Sequence, residues 1–326
     1  MWLWAATVVG VLLLVAFDFF MVSRTPHEVG VGEAARWSIF YVTLAIVFGI
    51  GVFYFMGAQS GTEFFAAYLV EKSLSVDNLF VFAIILTQFA VPSALQQRVL
   101  LIGIVLALVF RAVFIAVGAA ALAAFAFTFV IFGALLIWTG IQLARHHNED
   151  PEPSDNFMVK AVRKRFPFTD EYHGTAMFIR DAGKRVATPM LLVIIAIGST
   201  DLLFALDSIP ATFGVTQNAY LVFTANAFAL FGLRALYFLL KGLLDRLVYL
   251  SLGLAAILVF IGVKLILTWA HETWSQVPKI PTALSLGVIA LILAVATIAS
   301  LIKSRQDPTL TAHAGTVTKP GHDEEI

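Results

Sequence analysis

Long apolar stretches alternate with short polar breaks along almost the whole chain. Nine stretches approach or exceed the roughly 20 residues that a helix needs to cross the hydrocarbon core of a bilayer. They cover residues 2–22, 37–57, 63–89, 98–121, 124–145, 187–209, 220–241, 247–269 and 282–302. The first lacks a basic leader and a small-residue cleavage site, so the pattern predicts a retained helix, not a signal peptide. The one long polar segment, 146–186, holds Pro151, Pro153, Pro167 and many charges, which predicts a loop with a short interfacial helix around Phe157–Phe166. The expected fold is an all-α integral membrane protein of about nine transmembrane helices. It forms a single polytopic membrane domain over 1–326, with 146–186 as a cytoplasmic loop and 304–326 as a cytoplasmic polar tail.

Composition agrees with the pattern. Only 13% of residues are charged and 60% are apolar, against about 25% charged in an ordinary soluble domain, so too few charges exist to coat soluble surfaces. Formal net charge is zero, which points to neither nucleic acid nor an acidic partner. The chain contains no cysteine, so disulfides, thiolate metal sites and cysteine nucleophiles are excluded. Lys and Arg in short loops mark the cytoplasmic side. Placing the long loop inside also puts Arg24, Arg36, Arg98, Lys241, Arg246, Lys303 and Arg305 inside and leaves only Lys279 outside. Nine spans with the N-terminus outside and the C-terminus inside satisfy every loop.

Spans 3–5 resemble spans 6–8. "DNLFVFA" (77–83) matches "DLLFALD" (201–207), "FRAVF" (110–114) matches "LRALY" (233–237), and "GIQL" (140–143) matches "GVKL" (262–265). Asp77 to Arg111 is 34 residues and Asp201 to Arg234 is 33; Arg111 to Gly140 is 29 and Arg234 to Gly262 is 28. A rival register pairs Glu71 with Asp201 and Asp77 with Asp207 but breaks these distances. Three spans per unit is an odd number, so the two units are expected to be inverted repeats, an arrangement of secondary transporters that places the site near the midplane.

Ionisable residues at membrane depth are costly and read by default as functional. The acids are Glu71, Asp77, Asp201 and Asp207, with Asn78 and Asn226 as amide oxygens and Lys72, Arg111 and Arg234 as supporting charges. Six residues separate the acids of each pair, which places them about 120° apart on a straight helix. Either the helices unwind near Ser73–Ser75 and Ser208–Pro210, or each helix lies between two polar neighbours. The donor set is hard oxygen without thiolate or mid-span histidine, which suits Mn, Mg or Ca and does not separate them. Protons are possible coupling ions. The competing reading is plain neutralisation: Asp77 with Arg111, Asp201 with Arg234, and Asp18 with Arg24 or Arg36. Lys72 reads as a snorkelling or paired charge, and Asn226 as either a ligand or a helix–helix hydrogen bond.

The stretches "EKSLSVDNLFVF", "RVLLIGIVLALVFRAVFI", "TDLLFALDSIPA", "LFGLRALYFLLKGLLDR" and "LVFIGVKLIL" resemble the TerC family of integral membrane proteins, including its Alx branch. The resemblance runs from the end of the first span to the ninth. The family is named for tellurium resistance, and its members are implicated in manganese export. The resemblance therefore implies Mn²⁺ efflux across a bacterial inner membrane, with Glu71, Asp77, Asn78, Asp201 and Asp207 as ligands. One position departs: relatives commonly carry a glutamate where this chain has Gly198. The expected function is thus a divalent-cation exporter, Mn²⁺ foremost, with protons as candidate coupling ions, not an enzyme and without a cofactor. Its expected partners are the ion and the lipid bilayer. The alternative is a membrane scaffold or insertion factor of stress complexes.

Overall fold

In the computed structural model, residues 2–23, 29–149, 157–181, 184–240, 246–274, 276–278, 280–307 and 313 are described, the side chains of Met21, Val22, Ser23, Asp77, Phe157, Asp181, Lys184 and Glu272 excepted. Helices dominate: α1 (Trp2–Ser23), α2 (Val31–Met56), α3 (Ala58–Gln88), α4 (Ser93–Ala124) and α5 (Thr128–Arg145) precede the long loop. After it come α7 (Pro189–Val215), α8 (Ala219–Leu230), α9 (Leu233–Leu240), α10 (Leu250–Thr273) and α11 (Thr282–Gln306). The loop itself holds the short helix α6 (Phe157–Arg165) and an antiparallel pair, β1 (Phe178–Asp181) and β2 (Lys184–Ala187). The interfacial helix lies where the sequence places it, whereas the all-α expectation misses this small hairpin.

Local chemistry explains the boundaries. Gly57 at φ 92° separates α2 from α3, a conformation open to glycine at little cost. Thr188 and Pro189 open α7, proline fitting a first turn where its missing N–H costs nothing. Asn218 caps α8 by accepting from the Tyr220 amide at 3.0 Å.

Seven of the described helices are long and apolar enough to cross a membrane, and α8 with α9 qualifies as an eighth only as a pair bent by 42°. The bend falls at Phe231–Gly232, where Gly232 has φ 77°. Helix α3 fails the same test because every 18-residue stretch of it contains at least three of Glu63, Glu71, Lys72 and Asp77. Neither acidic motif lies on unwound chain: α3 and α7 run unbroken through both, so the unwinding alternative is corrected. Pro210 sits inside α7 without ending it.

The interior is organised by helix pairs. The closest pair is α5 and α10, which cross through glycines. A Cβ at Gly133 would lie 2.7 Å from the Gly262 carbonyl, one at Gly262 2.7 Å from the Gly133 carbonyl, and one at Gly140 2.8 Å from the Ala255 carbonyl. Small residues that let backbones touch are the usual basis of tight helix association in lipid, where apolar burial between helices gains little. The close approaches are reciprocal: a Cβ at Gly140 would lie 2.8 Å from the Val259 side chain, and one at Gly262 2.8 Å from that of Ile137. Elsewhere α3 packs on α8, and α4 on α7.

Helix propensity alone favours alanine over glycine by about 0.8–1 kcal/mol, so alanine at these crossings separates propensity from packing. Gly262→Ala is expected to destabilise the detergent-solubilised protein by about 1–3 kcal/mol, the usual cost of overpacking. Gly51→Ala, facing open space, should be neutral or slightly stabilising. Thermal melts of the two variants check this, and a Gly262→Ala protein as stable as the parent would remove the close crossing as a stabilising feature.

Candidate functional site

Arg111 lies on α4 with its side chain almost wholly buried, at 1% exposure. A lone guanidinium there would be prohibitively expensive, and it persists only if the surrounding helices supply counter-charge and acceptors. They do. Glu71 of α3 forms an ion pair with Nη1. Asp201 of α7 receives Nη2 at 3.2 Å and Nε at 3.4 Å. Nη1 also donates to Ser208 Oγ at 3.1 Å and to Asn226 Oδ1, on α8, at 2.8 Å. Asn78, with its amide turned to satisfy both ends, accepts from Nη2 at 3.2 Å and donates to the Leu74 carbonyl at 3.1 Å.

Two carboxylates, two amide oxygens and a hydroxyl thus converge on one cationic group from three helices. Glu71 and Asp201 are both fully buried. Thr212, one turn beyond Ser208, donates to Glu71 Oε2 at 3.2 Å, so α7 holds both acids of the cluster. Among the described residues, Asn226 Nδ2 and Ser75 Oγ find no partner; buried polar atoms of this kind in a native core call for an explanation. Ser75 is one turn from Glu71 on α3.

Of the sequence-identified residues, the structure therefore brings together Glu71, Asn78, Arg111, Asp201 and Asn226. Asp207 stands apart. Its Oδ1 accepts from Thr139 of α5 at 3.0 Å, on a different side of α7 from Asp201, as the six-residue spacing requires of a continuous helix. The side chain of Asp77 is outside the described residues. Among the described residues no three Asp, Glu or His side chains are grouped as they would be around a metal ion.

Two expected pairings are corrected. Arg234 is not at the cluster: its Nη2 donates to Asp18 Oδ1 at 2.6 Å, and Tyr41 donates to the same oxygen at 2.9 Å. Asp18 thus pairs across the chain with Arg234 of α9 and not with Arg36, because the bend at Gly232 brings the start of α9 against α1 and α2; the alternative partner, Arg24, lies outside the described residues. Gly232 itself packs on the Tyr41 ring. The other surprise is Lys72, whose ammonium donates to the Ala229 carbonyl at 3.2 Å. That carbonyl belongs to the last turn of α8, where the helix dipole and unfilled acceptors favour a cation. The sequence reading named Ser208 only as a point of unwinding and missed Thr212; the two lie one turn apart on the Asp201 helix, and hydroxyls beside an intramembrane acid were the available signal. Gly198 packs one turn before Asp201 with ordinary clearance toward Leu106.

Comparison with known proteins bears on identity. The model of the family described as "Integral membrane protein TerC family" matches residues 56–308. An uncharacterized membrane protein of Myxococcus xanthus is 41% identical over 312 residues, covering 96% of both chains. An uncharacterized membrane protein of Mycobacterium tuberculosis is 46% identical over 315 residues, 93% of this chain and 79% of the relative. The Alx protein of Escherichia coli, whose given name offers it as a membrane-bound redox modulator, is 38% identical over 296 residues, 88% of this chain and 90% of its own. No solved structure matches. With the family matched over most of its length and its helices apolar enough for several crossings, the chain is a multi-pass integral membrane protein belonging to the TerC family.

Proposed function

We propose that the protein exports divalent metal cations, Mn²⁺ foremost, from the cytoplasm across the bacterial inner membrane. The single observation carrying this reading is the convergence of hard oxygens on Arg111. Glu71, Asp201, Asn78, Asn226 and Ser208 hold a cation now, and their oxygen chemistry is that of Mn²⁺, Mg²⁺ or Ca²⁺ sites. In this reading Arg111 is a tethered cation occupying the place of the transported one. With Arg111 in place the cluster carries a formal charge of −1; replacing the guanidinium by M²⁺ makes it neutral. When the ion departs, Arg111 returns or protons neutralise the acids, which gives a route to proton coupling. The relative's name mentions redox; this chain has no cysteine, so a thiol couple is not open to it.

The finer topology belongs to the same proposal: nine spans with the N-terminus outside, the C-terminus inside, and spans 3–5 and 6–8 as inverted repeats. The reciprocal Gly140–Val259 and Gly262–Ile137 approaches support it, because a two-fold operation equating Gly140 with Gly262 exchanges the two. The packing of α3 on α8 and of α4 on α7 is related by the same exchange. Alternating access then follows from rocking one unit against the other, with Asn226 placing the bent α8–α9 span in contact with the site. Asp77 and Asp207 join as further acids of the ion's path.

Two expectations follow. In proteoliposomes, Glu71→Gln and Asp201→Asn should lower ⁵⁴Mn²⁺ flux by roughly ten- to a hundredfold, the scale on which losing a metal-site group acts. Asp77→Asn and Asp207→Asn measured beside them show whether the path needs four acids or two. Parent-like flux in the Glu71 and Asp201 variants would falsify the site. No flux from the parent, with partners co-purifying, would favour a scaffold instead. Separately, Arg111→Gln leaves two adjacent buried acids without their counter-charge, a loss worth about 3–5 kcal/mol. Mn²⁺ should restore this variant's melting temperature by more than it raises the parent's, since ligand binding to the folded state stabilises it. An Arg111→Gln protein insensitive to Mn²⁺ would show that the acids serve only the arginine.

A further inference from the structure

The loop between α5 and α7 is folded onto the end of the bundle. Val159 of α6 is buried and Val162 half-buried in the same apolar cluster as the ends of α3, α4 and α7. Tyr172 donates to the Phe89 carbonyl at the end of α3, at 2.7 Å; burial pushes its hydroxyl up to about 12, so it remains a donor through the physiological range. Thr188 donates to the Ala176 carbonyl at 2.6 Å. The outer face of this loop has a different character. Phe166 and Phe178 pack edge to face with centroids 5.7 Å apart, yet remain 40% and 38% exposed, and Met158 is 48% exposed. Around them Arg163, Lys164, Arg165, Arg180 and Arg185 are all exposed.

Two features give this face a direction and a ligand chemistry. Phe178 is the cross-strand partner of Ala187, two residues before α7 begins. Helix α7, with 27 residues, is about 40 Å long at 1.5 Å per residue and outreaches the roughly 30 Å hydrocarbon core, long enough for a bilayer-crossing α7 to set its start, and Phe178 beside it, at headgroup depth. The hairpin also sets Arg180 directly opposite Arg185. Like charges at opposed positions repel, and among the described residues it is Arg185 that finds relief, its guanidinium lying 5.8 Å from the Phe178 ring centroid. An anion between the two arginines would turn that repulsion into a binding site.

We propose that this face, Phe166 and Phe178 rimmed by Arg163–Arg165, Arg180 and Arg185, docks on anionic phospholipid headgroups of the bilayer that holds the protein. The aromatic pair enters the interfacial layer, and the arginines and lysine take the phosphates, a pairing of apolar and cationic residues suited to an anionic membrane surface. Since β2 runs straight into α7, the headgroups hold the helix that carries Asp201 and Asp207.

The absence of native cysteine makes the test direct. Full-length Met158→Cys protein, labelled with an environment-sensitive fluorophore, is reconstituted into vesicles of phosphatidylcholine alone or of phosphatidylcholine with phosphatidylglycerol. The emission should be blue-shifted only with phosphatidylglycerol, the shift reversing at high salt, where surface electrostatics are screened. It should be lost when Arg163, Lys164 and Arg165 are all changed to Gln. Arg180→Gln should raise the melting temperature in phosphatidylcholine vesicles, where the two arginines repel unrelieved, and not in the anionic ones. Identical emission in both vesicles would overturn the proposal. So would a shift produced in phosphatidylcholine vesicles by soluble heparin and absent with phosphatidylglycerol, which would assign the face to a soluble polyanion.

Discussion

A charge withdrawn from water must find its counter-charge within reach, and at Arg111 this requirement ties four helices together. The guanidinium projects from α4 and is held by Glu71 and Asn78 of α3, Asp201 and Ser208 of α7, and Asn226 of α8. In lipid, apolar side chains gain little by leaving one helix surface for another, so packing detail and polar contacts must fix the register. The arginine fork supplies the polar half of that specification. The glycine crossing of α5 on α10 supplies the steric half, and it does so on the other side of α7, where Asp207 meets Thr139.

The same requirement accounts for the remaining buried charges. Arg234 occupies the position that matches Arg111 in the sequence repeat, but its surroundings differ because Gly232 breaks the span just before it. The bend presents Arg234 to Asp18 and Tyr41 on α1 and α2, helices outside the repeated units. Lys72 uses the other side of the break, donating to the buried C-terminal end of α8 at Ala229. One glycine at φ 77° thus has two electrostatic consequences: it creates an unfilled carbonyl that a lysine satisfies, and it redirects an arginine. The two arginines that the sequence spacing equates thus stand in unequal chemistry.

What the sequence made legible was whatever depends on period and length. Each predicted apolar stretch falls on a helix or, for 220–241, on the α8–α9 pair, because some 20 apolar residues have few other ways to satisfy their backbone in lipid. The 120° separation of Asp201 and Asp207 could also be read in advance, and the structure sends the two to different neighbours. Partnerships were not legible. Asp201 with Arg234 was reasonable by repeat spacing, yet Asp201 meets Arg111 and Arg234 meets Asp18, since a long fork reaches whichever acids the helix packing brings near; the other expected pair, Asp77 with Arg111, falls on a side chain outside the described residues. The break at Phe231–Gly232 was equally hidden: a single glycine within an apolar run carries no periodic signal. The hairpin escaped because four-residue strands beside prolines and charges do not alternate long enough to stand out from a loop.

The hub's geometry constrains how any cation could share it. Arginine cannot be neutralised by losing its proton at physiological pH, so the acids can be freed only by moving the guanidinium away. Its bonds run to three helices at once, and withdrawing it therefore loosens α4 from α3, α7 and α8 in a single step. On the proposed reading, an arriving divalent ion competes for the oxygens that hold the bundle in its present arrangement. Binding and conformational change then become one event, with no separate trigger needed. A lysine at position 111 would keep the charge but lose the planar fork that spans Glu71, Asp201 and Asn226 together. The ion would then displace a contact to one or two helices, and the coupling between site occupancy and helix packing would weaken even where the electrostatics were preserved.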